Sequence, residues 1–260
     1  MKFVLGLDLH GTLLRADECY PKECLEKTCA LLDKLKNSVI AMTCTGNDLT
    51  FVKEVLPQEL LERLSGFVLE TGCTFTDSLD GPEKLAIPAE VAKRRDELED
   101  RFRSLALPKV TRFGRRLATI SLFTKEPRPF RDVVADYVKE WGYEDVFMVT
   151  YSSVAVDIVP HGFDKLFGLR KAANGLPLIA VADSVNDLPL LAGADHSFAP
   201  VNIAPEAKEE LLKSGREVLA LQEAKSLSDK AVYIASTPEA DGVIEILQHI
   251  DEMLSAALLQ

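Results

Sequence analysis

An apolar run, Phe3 to Leu7, leads directly into Asp8-Leu9-His10-Gly11-Thr12-Leu13-Leu14. A short apolar segment bounded by turn residues predicts a buried strand, with Asp8 near its end. Gly11 and Thr12 suit a tight loop leading out of the sheet. A carboxylate on a rigid strand that opens into a loop is well placed for chemistry. Asp8 and Thr12 are equally at home as ordinary loop and capping residues. The rest of the chain has to decide between the two.

The same pattern recurs downstream. Pro21 fits a first-turn proline, and Leu25, Leu31, Leu32 and Leu35 keep helical spacing up to Lys36. Val39 to Met42 is a second apolar run, followed by Thr43-Cys44-Thr45-Gly46-Asn47-Asp48 and a helix from about Asp48 to Val55. Phe67 to Leu69 predicts a third strand, ending at Glu70-Thr71-Gly72. After Asp164 come a helix carrying Lys165, a strand from Leu178 to Ala182 ending in Asp183, and then Ser184-Val185-Asn186-Asp187. A short helix from Leu188 to Ala192, a strand from Asp195 to Phe198 and a helix from Ala204 to Lys213 follow. Val243, Ile244, Leu247, Ile250 and Leu254 form one stripe of an amphipathic helix running from Pro238 to about Leu258. Strands alternating with helices predict an α/β fold with a parallel sheet and right-handed crossovers.

Between about Asp77 and Pro160 this rhythm breaks. A turn-rich start (Asp80-Gly81-Pro82) precedes a charged helix from Pro88 to Ser104 and an alternating stretch from Arg116 to Thr124. In that stretch Ala118, Ile120 and Leu122 share one face and Thr119, Ser121 and Phe123 the other. A helix from Phe130 to Trp141 and strands at Val146 to Thr150 and Ala155 to Val159 complete an inserted α+β unit. Its basic stretch runs from Lys84 to Arg131, with 13 Lys and Arg against 6 Asp and Glu, a balance of +7 that leaves −18 elsewhere. Such an insert on an acidic body is suited to steering an anionic substrate. Glu97 with Arg101 and Glu99 with Arg103 nevertheless mark the helix from Lys93 to Arg103 as a solvated surface.

Composition removes several classes. A net charge of −11 weighs against a nucleic-acid backbone as partner. No segment reaches the roughly 18 apolar residues of a membrane span, and the broken N-terminal run is expected to be a core strand rather than a targeting peptide. Cys19, Cys24, Cys29, Cys44 and Cys73 form an odd set with no CxxC pair, which fits a reducing, cytoplasmic setting better than disulfides or a thiolate zinc site.

Two apolar strands therefore end in carboxylates, Asp8 and Asp183. Ligands of open α/β sheets bind at the carboxyl ends of the strands, so these groups are expected to meet. Oxygen ligands such as Asp8, Asp183 and Asp187 suit Mg²⁺. Thr45 and the amide of Gly46, at a helix start, suit phosphate oxygens. Lys165 supplies a compact positive charge.

In order and on the expected elements, Asp8 to Leu13, Thr45 with Gly46, Lys165, and Asp183 with Asn186 and Asp187 resemble the four motifs of the haloacid dehalogenase (HAD) superfamily of aspartate-nucleophile phosphotransferases. The insert is similar to the type-IIB cap of the Cof-like subgroup, which includes sugar-phosphate phosphatases. The resemblance implies a Rossmann-like parallel-sheet core at about 1–76 and 160–260 and a cap at about 77–159. It also implies a Mg²⁺-dependent phosphatase for a small phosphorylated metabolite. Asp8 would be the nucleophile, and Asp8, the backbone carbonyl of His10 and Asp183 would hold the metal, with Asp187 acting through water or as an orienting group. Thr45, Gly46, Lys165 and Asn186 would bind the phosphoryl oxygens; Asn186 is also a plain helix-cap residue.

Two positions depart from the family pattern. His10 stands where these phosphatases carry a second Asp as general acid/base. Imidazole titrates near neutral pH and is able to replace it, which leaves three readings: a working acid/base, a slow enzyme or one of altered chemistry such as a mutase, and a site that only binds. Asn47 stands where relatives often carry Arg. Arg112, Arg115 and Arg116 are candidates to restore that charge, although a solvated basic turn around Gly114 is the simpler expectation.

Overall fold

The computed structural model describes residues 2–151, 154–224 and 230–257. Its strands are β1 (Phe3–Leu7), β2 (Val39–Cys44), β3 (Gly66–Leu69), β4 (Thr74–Thr76), β5 (Lys84–Leu85), β6 (Arg112–Phe113), β7 (Ile120–Phe123), β8 (Phe147–Tyr151), β9 (Ala155–Pro160), β10 (Leu178–Val181), β11 (His196–Ala199), β12 (Val218–Ala220) and β13 (Val232–Ile234). The helices are α1 (Lys22–Leu35), α2 (Leu49–Val55), α3 (Gln58–Leu61), α4 (Ala89–Ser104), α5 (Pro127–Glu140), α6 (Lys165–Ala173), α7 (Leu188–Gly193), α8 (Pro205–Lys213) and α9 (Glu239–Ala257). Pro21 immediately precedes α1 rather than opening it. The expected end of the last helix, Leu258, lies outside the described residues. No helix among the described residues is long and apolar enough to cross a membrane.

The main sheet has the order β12-β13-β11-β10-β1-β2-β3-β4-β5. It is parallel from β12 to β3, and β4 and β5 add antiparallel strands at one edge. Strand β1 is buried along its whole length and feeds both faces. Phe3, Leu5 and Leu7 join the core beneath α1 and α9, where Leu31, Val243 and Leu247 sit. Val4 joins the other core with Leu169, Leu190 and Leu211 from α6, α7 and α8. A sheet covered on both sides explains why these strands read as unbroken apolar runs. From β1 the chain moves outward through β2 and β3, then returns on the other side through β10 and β11. The β1/β10 junction is thus a topological switch point, where open α/β sheets leave a crevice at the carboxyl ends of their strands.

The second sheet, β6-β7-β9-β8, is antiparallel. It packs with α4 and α5 around Leu98, Phe102, Ile120, Phe130, Val134 and Ile158. Two expectations change here. Arg95 and Glu99 of α4 are buried and paired with one another, so this helix is not simply a solvated surface. The alternation from Arg116 is not a two-faced strand either, because Ala118 through Leu122 are all buried. Residues 116–119 leave the ladder and bend against the main sheet's unit, where Glu70 holds them.

Glu70 is fully buried with φ +47°. Its carboxylate accepts the backbone N–H groups of Leu117 (2.7 Å), Ala118 (2.8 Å) and Thr119 (2.9 Å) and the Thr119 hydroxyl (3.1 Å). Arg95 takes the carbonyls of the same segment, donating to Thr119 O and Arg116 O at 2.9 Å each. Three N–H groups and two carbonyls of the segment are thus paired, from opposite sides.

Candidate functional site

Strand register puts Leu7 beside Val181 on one side and Thr43 on the other. The residues just beyond therefore emerge together at the switch point. Asp8 follows β1, its N–H bonded to Val181 O at 3.0 Å. Asp183 lies two residues beyond β10, and Asp187 closes the one-turn helix that follows. Ligand oxygens of Asp8, Asp183 and Asp187 all lie within 4.8 Å of one another.

Lys165 is the first residue of α6, whose start is capped by Asp164 accepting from Phe167 N–H at 2.7 Å. Its Nζ donates to Asp8 Oδ1 at 2.6 Å and to Asp187 Oδ1 at 2.5 Å. The other oxygen of Asp187 accepts from the hydroxyl (2.6 Å) and N–H (3.2 Å) of Ser184. Ser184 and Asp187 thereby cap this turn reciprocally. Asn186, expected as an alternative cap, does not serve as one; it is exposed and its Oδ1 accepts from Thr150 Oγ1 of β8 at 3.4 Å.

Asp183 receives the Thr12 hydroxyl at 3.2 Å and Asn202 Nδ2 at 3.4 Å. Asn202 Nδ2 also donates to Gly11 O at 2.7 Å, while its Oδ1 accepts Glu239 N–H at 2.8 Å. No motif in the sequence marks Asn202. Its signal was positional: it lies just beyond β11, the strand next to β10.

Electrostatics follow from three buried or half-buried carboxylates and one cation. Burial, then the Asp187 charge, pushes Asp8 up to about 7 against the pull of Lys165. Burial, then Asp8 and Asp187, pushes Asp183 up to about 8. Burial disfavours the Lys165 ammonium, but Asp187 and Asp8 outweigh it and hold that group above the usual lysine value. The donor set is thus short of positive charge and built wholly of hard oxygens, which is what a small divalent cation such as Mg²⁺ fits.

Thr45 and Gly46 follow β2, one strand over. Thr45 is buried, and its Oγ1 accepts Asn47 N–H at 3.2 Å and Asn47 Nδ2 at 3.5 Å. Asp48 caps α2 through Phe51 N–H at 2.8 Å. His10 stacks on Phe51 with ring centroids 5.3 Å apart, and its Nε2 lies 3.4 Å from Glu18 Oε1. Burial lowers the His10 pKa while Glu18 opposes this. Of the three arginines around Gly114, Arg112 stacks on Phe123 and Arg115 lies 3.6 Å from Glu54. Arg116 departs from the solvated turn expected of it. Its side chain is 6% exposed, and its guanidinium donates to Asn47 Oδ1 at 2.9 Å and to Asp48 Oδ2 at 3.2 Å.

No family model matches the sequence, and no curated protein matches it. Likeness in structure spans nearly the whole chain. The sucrose-phosphatase of Synechocystis sp. PCC6803, solved in complex with sucrose and phosphate, is similar at 18% identity and TM-score 0.67, over 96% of this chain and 99% of that one. A haloacid dehalogenase-like hydrolase from Bacteroides thetaiotaomicron is similar at 16% identity and TM-score 0.65, over 96% and 100%. Protein 0175 of Thermoplasma acidophilum is similar at 17% identity and TM-score 0.69, over 97% and 99%. At these identities the likeness is one of fold.

Proposed function

The chain has the fold of the haloacid dehalogenase-like hydrolases, and from that premise we propose that it is a Mg²⁺-dependent phosphatase of a small phosphorylated metabolite, a sugar phosphate being the leading class. The observation that carries this reading is the convergence of Asp8, Asp183 and Asp187 within 4.8 Å, with Lys165 bonded to two of them. The neighbour solved with sucrose and phosphate supports the sugar-phosphate class. The unit at about 77–159, whose β5 still pairs with the main sheet and whose stretch from Lys84 to Arg131 is basic, is taken as the cap that selects the substrate. Five free cysteines support a cytoplasmic setting, and neither nucleic acid nor membrane is proposed as a partner.

In this mechanism a carboxylate oxygen of Asp8 attacks the phosphorus in line. An O–P bond forms as the ester P–O bond breaks, giving an aspartyl-phosphate. Lys165 holds Asp8 Oδ1 and orients the carboxylate. Thr45, the Gly46 amide, Lys165 and Asn186 bind the equatorial phosphoryl oxygens, whose charge must be stabilised in the transition state. His10 gives its proton to the leaving oxygen and then takes one from the water that hydrolyses the aspartyl-phosphate. Asp8, Asp183 and the His10 backbone carbonyl would hold Mg²⁺, with Asp187 reaching it through water. When bound, the ion would neutralise nucleophile and phosphate together.

The test is a panel of phosphomonoesters with Mg²⁺, run on wild type, Asp8→Asn, His10→Ala and His10→Asp. Asp8→Asn should abolish turnover, His10→Ala should lower kcat by about 10²–10⁴, and His10→Asp should retain turnover. Absence of hydrolysis on every ester, together with no phosphorylation of Asp8, would sink the proposal. A large gain in His10→Asp would instead identify a site that had lost its acid.

A further inference from the structure

We infer that Arg116 is a positioning residue for Thr45, acting through Asn47, so that the phosphoryl-binding hydroxyl is set only when the cap segment 116–119 is seated on the core. The inference rests on the phosphatase reading above and deepens it.

The relay is directional. An arginine side chain has donors only, so its bond to Asn47 Oδ1 fixes which way the Asn47 amide faces. The Nδ2 end then points to Thr45 Oγ1, which also accepts the Asn47 backbone N–H. With two N–H groups on its oxygen, the Thr45 hydroxyl has one role left, to donate its proton. A donor is what an anionic phosphoryl oxygen needs there.

The cap side of the relay is equally constrained. Arg116 is nine-tenths buried, and its Nε is buried with no hydrogen-bond partner among the described residues. A side chain placed for packing alone is not expected to leave a buried N–H unpaired. The two terminal nitrogens of Arg116 reach Asn47 and Asp48, 69 and 68 residues away in sequence. Glu70 links the two ends of the device: its carboxylate holds the amides of 117–119, and its own N–H bonds to Asn47 O at 3.0 Å. The core loop that carries Thr45 and the cap segment that carries Arg116 therefore share one hydrogen-bond network.

The experiment measures the affinity of the Mg²⁺-saturated full chain for inorganic phosphate by calorimetry, together with kcat and KM on an ester that the wild type turns over. Variants are Arg116→Ala, Arg116→Lys, Asn47→Ala and the Arg116→Ala/Asn47→Ala pair. Arg116→Ala should weaken phosphate binding by about tenfold. Arg116→Lys keeps the buried charge, and with it the fold, but lacks the two-pronged donor and should not restore affinity. The double variant should bind phosphate no worse than Asn47→Ala, because both substitutions cut one chain. Wild-type affinity in both Arg116 variants, or additive losses in the double variant, would overturn the relay. Phosphate binding that depends on Arg116 in a protein that hydrolyses nothing would uphold the relay while the phosphatase reading falls. A wild type that binds no phosphate would overturn both.

Discussion

Lys165 Nζ stands 2.6 Å from Asp8 Oδ1, across 157 residues of sequence, and both side chains are only 6% exposed. A salt bridge in such a place has lost its water, and its worth lies in the partners it keeps from being left alone.

Lys165→Met removes the cation shared by Asp8 and Asp187. Two buried carboxylates are then left facing one another, a change that costs about 3–5 kcal/mol. Urea unfolding in EDTA near pH 7.5 should show a loss of that order, and turnover should vanish. A midpoint unchanged from wild type would contradict the arrangement.

Gly11 has φ +71°, and a Cβ built there would lie 2.2 Å from Asp183 Oδ2. Gly11→Ala should therefore strain the loop and displace Asp183 without altering any ligand's chemistry. Magnesium should raise the melting temperature of wild type, because a ligand bound only by the folded state stabilises it. It should raise that of Gly11→Ala much less. Equal magnesium shifts in the two proteins would show that Asp183 does not bind the ion.

Glu70→Gln keeps size and shape but trades an acceptor oxygen for an NH₂ that faces the backbone N–H groups of residues 117–119. Unsatisfied buried donors cost about 1–3 kcal/mol each. The variant should unfold at lower urea, and proteolysis should cut the segment around residues 116–119 sooner than in wild type. Wild-type stability would show that the Glu70 contacts contribute nothing net.

Asp157 of β9 accepts the Ser121 hydroxyl at 2.5 Å, and burial raises its pKa although Ser121 and Arg116 pull the other way. A carboxyl raised in the fold contributes stability that is fully present below its unfolded value and is lost as pH rises through the folded value. Asp157→Asn has no such titration. Its stability relative to wild type should therefore increase as pH is raised from about 4 towards 8, read by urea unfolding across that range. A difference that stays constant with pH would refute this.

Local pattern was enough to define the elements that carry Asp8, Lys165 and Asp183. Phe3–Leu7 forms the expected strand, Leu178–Val181 stops one residue short of the expected end, and the helix that carries Lys165 begins at that residue. Burial on one face leaves a period in the sequence and burial on both leaves a bounded apolar run, so such elements are legible. The three-residue strands β4, β12 and β13 are not legible in the sequence, because so short a segment carries no period.

What the sequence by itself determined is an α/β chain whose acidic strand ends and lysine belong to one kind of site. Only the tertiary structure decided which polar residues face each other. Arg116 read as part of a solvated basic turn and is instead buried against Asn47 and Asp48. Arg95 and Glu99 read as exposed helix charges and are buried and paired with one another. Asn202 carried only a positional signal, yet it joins Gly11, Asp183 and the start of α9. The reason is physical: hydrophobic periodicity records whether a face is covered, whereas the partner of a charge is set by strand order and by how the second unit sits on the first.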